Sequence, residues 1–219
     1  MIDFYVPTFG RAHKLQAVYD NIKASLKDRA DEALIWFIVE KHDPESITAA
    51  LDVAGTVIIN KGNPCYGDAI NTAYHMTSAP WFFVAADDVS FHYGWLEELE
   101  KAMLAYPEAG VLGTNDLLGQ RSTHFLVKRE YILKHSGIMD KPNTVYYPYL
   151  HNFTDVELFK TAEKRGMYYN CRESVVEHLH HVNGKAPHDA TYAKEEVTTE
   201  LDRPVFEARM KQFDIDDSL

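Results

Sequence analysis

Positive charge is in short supply in this 219-residue chain, with 22 Lys and Arg against 33 Asp and Glu and a formal net charge of -11. That balance excludes a surface built broadly for polyanions, although a local basic patch remains compatible with it. Cysteine is nearly absent. Cys65 and Cys171 have no metal-type spacing and form no disulfide framework, so they read as two reduced thiols. No run approaches the ~18 apolar residues of a membrane span. The opening "MIDFYVPTFGR" enters a strand pattern at once, without a leader's charged region and long apolar segment, and the expected setting is cytoplasmic. Repeats, low-complexity tracts and Pro/Gly-rich linkers are missing too, which leaves one continuous domain over 1–219 as the expectation.

What is there alternates between two periods. "IDFYVP" reads as a strand closed by Pro7. Residues 12–28 place Leu15, Val18, Tyr19, Ile22 and Leu26 on one helical stripe. "ALIWFIVE" (33–40) is a continuous apolar run, as in a strand buried on both faces. "PESITAALDVA" then reads as a short helix, "GTVIIN" as a third strand, 66–78 as a helix and "WFFVAA" as a fourth strand. "YGWLEELEKAMLAYP" follows as a helix with Trp95, Leu96, Leu99, Met103 and Leu104 on its apolar face. Strands separated by such helices predict right-handed crossovers and an α/β fold with a Rossmann-like, mostly parallel central sheet. Ligands of such sheets bind beyond the carboxyl ends of the strands.

The second half is less regular. "AGVLGTN" and "STHFLVKR" read as strands, "REYILKHSG" as a short helix and "TDVELFKTAEKRG" as a clearer one, with Thr154 as N-cap and Gly166 as stop. "MYYN" and "SVVEHLHHV" read as two strands. Beyond about 183 the polar composition predicts loops, a final helix near 199–213 and a tail. Two functional halves are expected, 1–113 and 114–192, the second a smaller mixed region, with 193–219 as the C-terminal segment.

The stretch "WFFVAADDVSFHYGW" poses a chemical question, because an apolar strand ends on two adjacent carboxylates, Asp87 and Asp88. Either alone can be a turn or capping residue. Together they repel, and partial burial raises one pKa unless a cation sits nearby. A divalent ion with oxygen ligands removes that cost and leaves positions open for phosphate oxygens. In "VVEHLHHV", alternation puts Val176, His178 and His180 on one face. Imidazole with carboxylates and water suits Mn2+ or Mg2+ better than structural zinc. Asp155 can simply favour the start of a helix dipole.

These segments, in this order, resemble inverting family 2 glycosyltransferases. "VPTFGR" resembles their opening strand and turn, and Glu40 stands where they carry a base-binding acid. "NKGNPCYGDAINTAY", with Gly67 and Asn71, resembles their Gly–helix–Asn segment. "VAADDVSFHYGWLEEL" is similar to their metal-binding aspartate motif, "TDVELFKTAEKRG" to the segment carrying their catalytic base, and "VVEHLHHVNGKAPHDATY" to their closing strand. Three positions depart from the pattern. Gly10 replaces a common Asn, Asp68–Ala69 replaces Ala-Arg, and Thr154 replaces the Glu before Asp155.

The resemblance implies a GT-A fold and transfer of a sugar from a nucleotide-sugar, with a UDP-sugar as first choice. In its terms Asp88 with His178 or His180 holds the metal, and Asp87 touches the ribose or the metal's waters. Asp155 is the general base, Glu40 or Asp43 meets the nucleobase, and Pro7 and Thr8 shape its pocket. Arg11 or Lys61 supplies positive charge for the diphosphate. The acceptor hydroxyl is left open between a glycan, a lipid-linked sugar, a small molecule, a protein and a modified base in DNA. Two other classes share parts of the pattern. A nucleotidyltransferase acting on sugar phosphates also sets Asp–metal chemistry on a parallel sheet, but would carry a Gly-rich basic loop where "PTFGRAHK" has one Gly. A non-catalytic nucleotide-sugar or glycan-binding module would bind without turnover.

Overall fold

The computed structural model describes residues 1–53, 56–119 and 121–216. Gly55 of the "GTVIIN" reading, Gln120 and the tail residues 217–219 lie outside them. Eight strands form one sheet: β1 (Ile2–Thr8), β2 (Ala33–Val39), β3 (Val57–Ile59), β4 (Trp81–Val84), β5 (Val89–Phe91), β6 (Val111–Asn115), β7 (Phe125–Lys128) and β8 (Tyr168–His178). Their order is β3-β2-β1-β4-β7-β6-β8-β5. The four strands at the β3 edge run parallel, β7 runs antiparallel to both β4 and β6, and β6 and β8 are parallel again. The sheet is mixed and mostly parallel, the α/β architecture that the alternating periods predict.

Helices α1 (Leu15–Leu26), α2 (Pro44–Val53), α3 (Tyr66–Met76), α4 (Trp95–Ala105), α5 (Arg129–His135), α6 (Thr154–Lys164) and α7 (Ala190–Gln212) cover the faces. One apolar layer gathers Leu15, Val18 and Ile22 of α1 against Phe4, Phe83, Phe91 and Trp95; the opposite layer packs Ile70 and Tyr74 of α3 and Leu158 of α6 against Tyr5, Phe82 and Phe125. Burying each such side chain contributes roughly 1.5–3 kcal/mol, which is why the continuous apolar strands sit centrally. Among the described residues no helix is long and apolar enough to cross a membrane.

Several local expectations are corrected. On α4, Leu104 is 86% exposed, whereas Trp95, Leu96, Leu99 and Ala102 are buried. Nine positions at ~100° each place Leu104 opposite Trp95. "MYYN" and "SVVEHLHHV" belong to one strand, β8. It advances five residues, Asn170 to Val175, while β6 advances two, Gly113 to Asn115, so a bulge interrupts its pairing with β6 just before it pairs with β5. β5 was not anticipated, since its three residues give too little alternation to register. The N-cap of α6 is Phe153 in the left-handed region at φ 67°, with Thr154 already helical. Gly166, at φ 68°, does end α6: it and Met167 donate to Glu163 and Ala162 carbonyls in a Schellman arrangement.

The last helix begins nine residues earlier than its composition predicts, because Asp189 caps it by accepting from the Thr191 and Tyr192 N–H groups. Its far end is tied down by charge. Arg209 donates to Glu157 of α6 at 2.6 and 3.0 Å and to Asp140 at 2.8 Å through each of two nitrogens, and Glu157, fully buried, also accepts from the Tyr149 hydroxyl at 2.7 Å. Removing one member of such a pair strands the other in a low dielectric. Arg209→Ala is expected to destabilise the protein by about 3–5 kcal/mol in urea unfolding. A loss under ~1 kcal/mol would put α7 outside the cooperative unit.

Candidate active site at the carboxyl edge of the sheet

Polar residues that follow β1, β4 and β8 meet at one edge, around a cavity of about 500 Å³. Its walls include Pro7, Thr8, Arg11, Glu40, Asp87, Asp88, Asp155, His178 and His180, so nine of the expected site residues share one space.

The Asp pair follows β4 and both members are buried, at 6% and 5% exposure. Arg11 lies between them, one Nη1 donating to Asp87 Oδ1 at 3.1 Å and to Asp88 Oδ2 at 3.0 Å. Thr8 Oγ1 donates to Asp87 Oδ2 at 2.7 Å, and the Tyr192 hydroxyl donates to Asp88 Oδ2 at 2.9 Å. The remaining oxygen, Asp88 Oδ1, faces His178 Nε2 at 3.4 Å. The two carboxylates therefore differ. Burial and the neighbouring Asp88 charge push Asp87 up to about 6 against the pull of Arg11. Burial also acts on Asp88, but the hydrogen bond and charge of His178, then Arg11, outweigh it and hold Asp88 well below the usual carboxylate range. Burial works against a charged His178, and Asp88 outweighs that as well, raising its pKa.

His180 is placed differently. β8 has ended, Val182 N–H donates to its Nδ1 at 3.3 Å, and its Nε2 meets Glu195 of α7 at 3.3 Å. Both nitrogens are engaged within the chain, which leaves His178 as the imidazole facing the Asp pair. Asp155, in the first turn of α6, lines the same cavity, and burial pushes its pKa up to about 6 although the Val156 and Asp155 backbone N–H groups pull the other way.

Three expected residues lie outside the cavity walls and hold the scaffold. Asp43 caps α2 by accepting from Ser46 N–H at 3.1 Å and fixes the turn after β1 by accepting from Gly10 N–H at 2.7 Å. Gly67 sits where a Cβ would come within 2.7 Å of the Tyr147 carbonyl, so α3 can approach the 145–149 segment only through a glycine. Asn71 clamps that segment, donating to Tyr146 O and accepting from Val145 and Tyr146 N–H. Glu40 is in the wall, steadied by Asn60 Nδ2 at 2.8 Å. Lys61 is exposed and outside the cavity, so the cation at the Asp pair is Arg11. The tyrosines of "VYYPYLHNF" pack rather than line the space: Tyr146 and Tyr149 are buried, and Arg209 covers the Tyr147 ring at 3.7 Å.

Sequence reading missed the cavity's lid. Asp189 holds Arg11 through paired hydrogen bonds of 3.0 Å, and Tyr192 lies 4.6 Å below the same guanidinium. The signal was an Asp ahead of the helix-forming "ATYAKEE". His124 was missed too. It lines the cavity just before β7, its ring 5.1 Å from that of His178, and burial, with His178 alongside, pushes its pKa down to about 3. Asp202 of α7 accepts the Leu150, His151 and Asn152 N–H groups at 2.8–2.9 Å and presents that loop to the cavity.

Comparison with solved structures identifies the architecture. Glucosyl-3-phosphoglycerate synthase from Mycobacterium tuberculosis, solved with Mn2+, UDP-glucose and phosphoglyceric acid, superimposes with a TM-score of 0.67 at 13% identity, over 100% of this chain and 81% of that one. The chain has the GT-A glycosyltransferase fold. The same enzyme with Mn2+, UDP and glucosyl-3-phosphoglycerate gives 0.61 at 13% identity over 81% of this chain and 71% of that one. A mannosyltransferase from Pyrobaculum calidifontis, solved with GDP-mannose and Mn2+, gives 0.61 at 15% identity over 80% of this chain and 56% of that one. No family model and no curated protein sequence matches the chain.

The burial of Asp155 sets a stability test. The native state binds its proton more tightly than the unfolded chain does, so the penalty is absent below the ordinary carboxylate value and is complete above about 6. Asp155→Asn is expected to stabilise the protein by about 2 kcal/mol at pH 7, with the gain fading at pH 4, as read by urea unfolding at both values. Equal or lower stability at pH 7 would mean that Asp155 is not held in a poorly solvated place.

Proposed function

We propose that the protein is a metal-dependent inverting glycosyltransferase that moves a sugar from a nucleotide-sugar, a UDP-sugar first, to an acceptor hydroxyl. One observation carries the reading. Within a GT-A fold, Asp88 Oδ1 and His178 Nε2 stand 3.4 Å apart in the same cavity as a carboxyl group, Asp155, whose pKa burial pushes up to about 6. The donor set fits Mn2+ or Mg2+, a carboxylate oxygen and an imidazole converging beside a second carboxylate, and neighbours of this fold were solved with those ions and with UDP, UDP-glucose or GDP-mannose.

Asp88 and His178 would hold the metal, with Asp87 beside it toward the ribose or the metal's waters. Bound there, a divalent cation supplies countercharge to the departing diphosphate. The chain's own residues do the rest. Arg11 brings a permanent positive charge to the same point. Glu40 lies at the nucleobase end, with Pro7 and Thr8 shaping that pocket from the 1–113 half. Asp155 accepts the acceptor's proton as the hydroxyl oxygen attacks the anomeric carbon from the face opposite the diphosphate, which inverts the centre. Thr123, His124, Leu150, His151 and Asn152, all from the 114–192 half, form the wall on the acceptor side.

The deciding experiment is a panel of nucleotide-sugars with and without Mn2+, following nucleoside diphosphate release by the wild type, Asp88→Ala and Asp155→Asn. Metal-dependent release from one donor is expected, abolished in Asp88→Ala and reduced about 10²–10⁴-fold in Asp155→Asn. Pyrophosphate as product would favour a nucleotidyltransferase, and donor binding without release a non-catalytic module. Since the base must be ionised, kcat/KM is expected to fall about tenfold per pH unit below about 6. A flat acid limb down to pH 5 would remove Asp155 from that role.

A further inference from the structure

A second group of metal-ligating side chains lies outside the cavity, on the connection from β8 to α7. His181 follows β8 in a short 3-10 turn, His188 precedes the Asp189 cap, and Glu196 stands on the second turn of α7. One ligand atom from each falls within 4.8 Å of the others. His188 Nε2 is 3.2 Å from Glu196 Oε1, and the His181 and His188 rings meet edge to face at 4.9 Å. None of the three lines the cavity.

Two features separate this group from an ordinary surface ion pair. The first is spacing: a tetrahedral ion with bonds of ~2.0–2.2 Å sets its ligand atoms roughly 3.4 Å apart, which the His188–Glu196 pair already matches. The second is His181 Nδ1, which is buried and has no hydrogen-bond partner among the described residues. A buried polar nitrogen without a partner is costly, and a Lewis acid would satisfy it. Two imidazoles and one carboxylate are a zinc-type donor set, and the exposure of His188 and Glu196 leaves the fourth position to water.

We propose that His181, His188 and Glu196 form a zinc site, separate from the Asp pair, that fastens the β8–α7 connection. Its place makes this consequential. The Tyr192 ring lies tilted 4.4 Å from His181, while its hydroxyl reaches Asp88 and Asp189 grips Arg11. Zinc at this position holds the entire lid of the cavity by the root of α7 and leaves the cavity's own ligands free.

The test needs neither donor nor acceptor, so it succeeds or fails independently of the transferase reading. Full-length protein stripped with EDTA is titrated with Zn2+ by calorimetry, and with Co2+ while recording the visible bands of a tetrahedral site. The expected result is one equivalent bound by Asp88→Ala, which lacks the Asp-pair ligand, with binding weakened about tenfold or more when His188→Ala or Glu196→Gln is added to that variant. Zinc should raise the melting temperature of Asp88→Ala, but not of Asp88→Ala carrying His188→Ala or Glu196→Gln. Both substituted side chains are exposed, and circular dichroism of the metal-free proteins checks that their folds match. Undiminished affinity when His188→Ala is added to Asp88→Ala, or zinc binding that disappears with Asp88, overturns the proposal.

Discussion

Two carboxylates buried side by side are tolerable only because a guanidinium lies between them. Each would cost several kcal/mol to remove from water alone, and together they would repel as well. Arg11 offsets both terms with a single nitrogen, and its other two nitrogens hold Asp189. The turn after β1, the end of β4 and the start of α7 are thereby joined through one side chain. His178 then divides the pair, keeping Asp88 ionised while Asp87 is pushed toward neutrality. The chemistry of this edge of the sheet follows from that asymmetry.

Helix α7 carries that arrangement from outside the sheet. Its first turn supplies Asp189 and Tyr192 to the Asp pair, its middle supplies Asp202 to three successive N–H groups of the 150–152 loop, and its last turns supply Arg209 to Glu157. Pro204 interrupts the helix between these anchors and withholds an N–H from the Glu200 carbonyl. The first half of the helix is therefore held mainly by polar contacts, while Phe206 and Met210 of the second half pack with Tyr149 and Phe153, which explains why composition alone made the first half look like loop.

The fold was legible wherever one face of an element is uniformly apolar. β1, β2, β4, α1 and α3 appear within a few residues of their expected bounds because a central parallel strand or an amphipathic helix leaves an unambiguous period. β5 and the bulge in β8 were not legible, since three residues carry too little period and a register shift leaves no mark on composition. The site divided in the same way. Asp87, Asp88 and Asp155 stand at element ends, where a charge next to an apolar run is conspicuous. Asp43, in the turn before α2, and Gly67 and Asn71, in the first half of α3, are equally conspicuous, but their work is to cap and clamp the backbone. Tyr192 and His124 approach the cavity from 104 and 36 residues beyond Asp88, a proximity that only tertiary packing creates.

The reversal of β7 has a consequence for how this molecule can vary. Because β7 runs against β4, with Val84 opposite Phe125, the residues that lead into β7 arrive level with those that leave β4. The connection from β6 to β7, at 116–124, is thereby delivered to the rim of the cavity while both of its flanking strands stay locked in the sheet. Asp116, Ser122 and His124 of that connection are buried, so exchange without loss of core contacts is open only to the exposed tip at 117–119. The tip is thus open to change, while the walls built by β1, β4, Arg11 and His124 stay tied to the core.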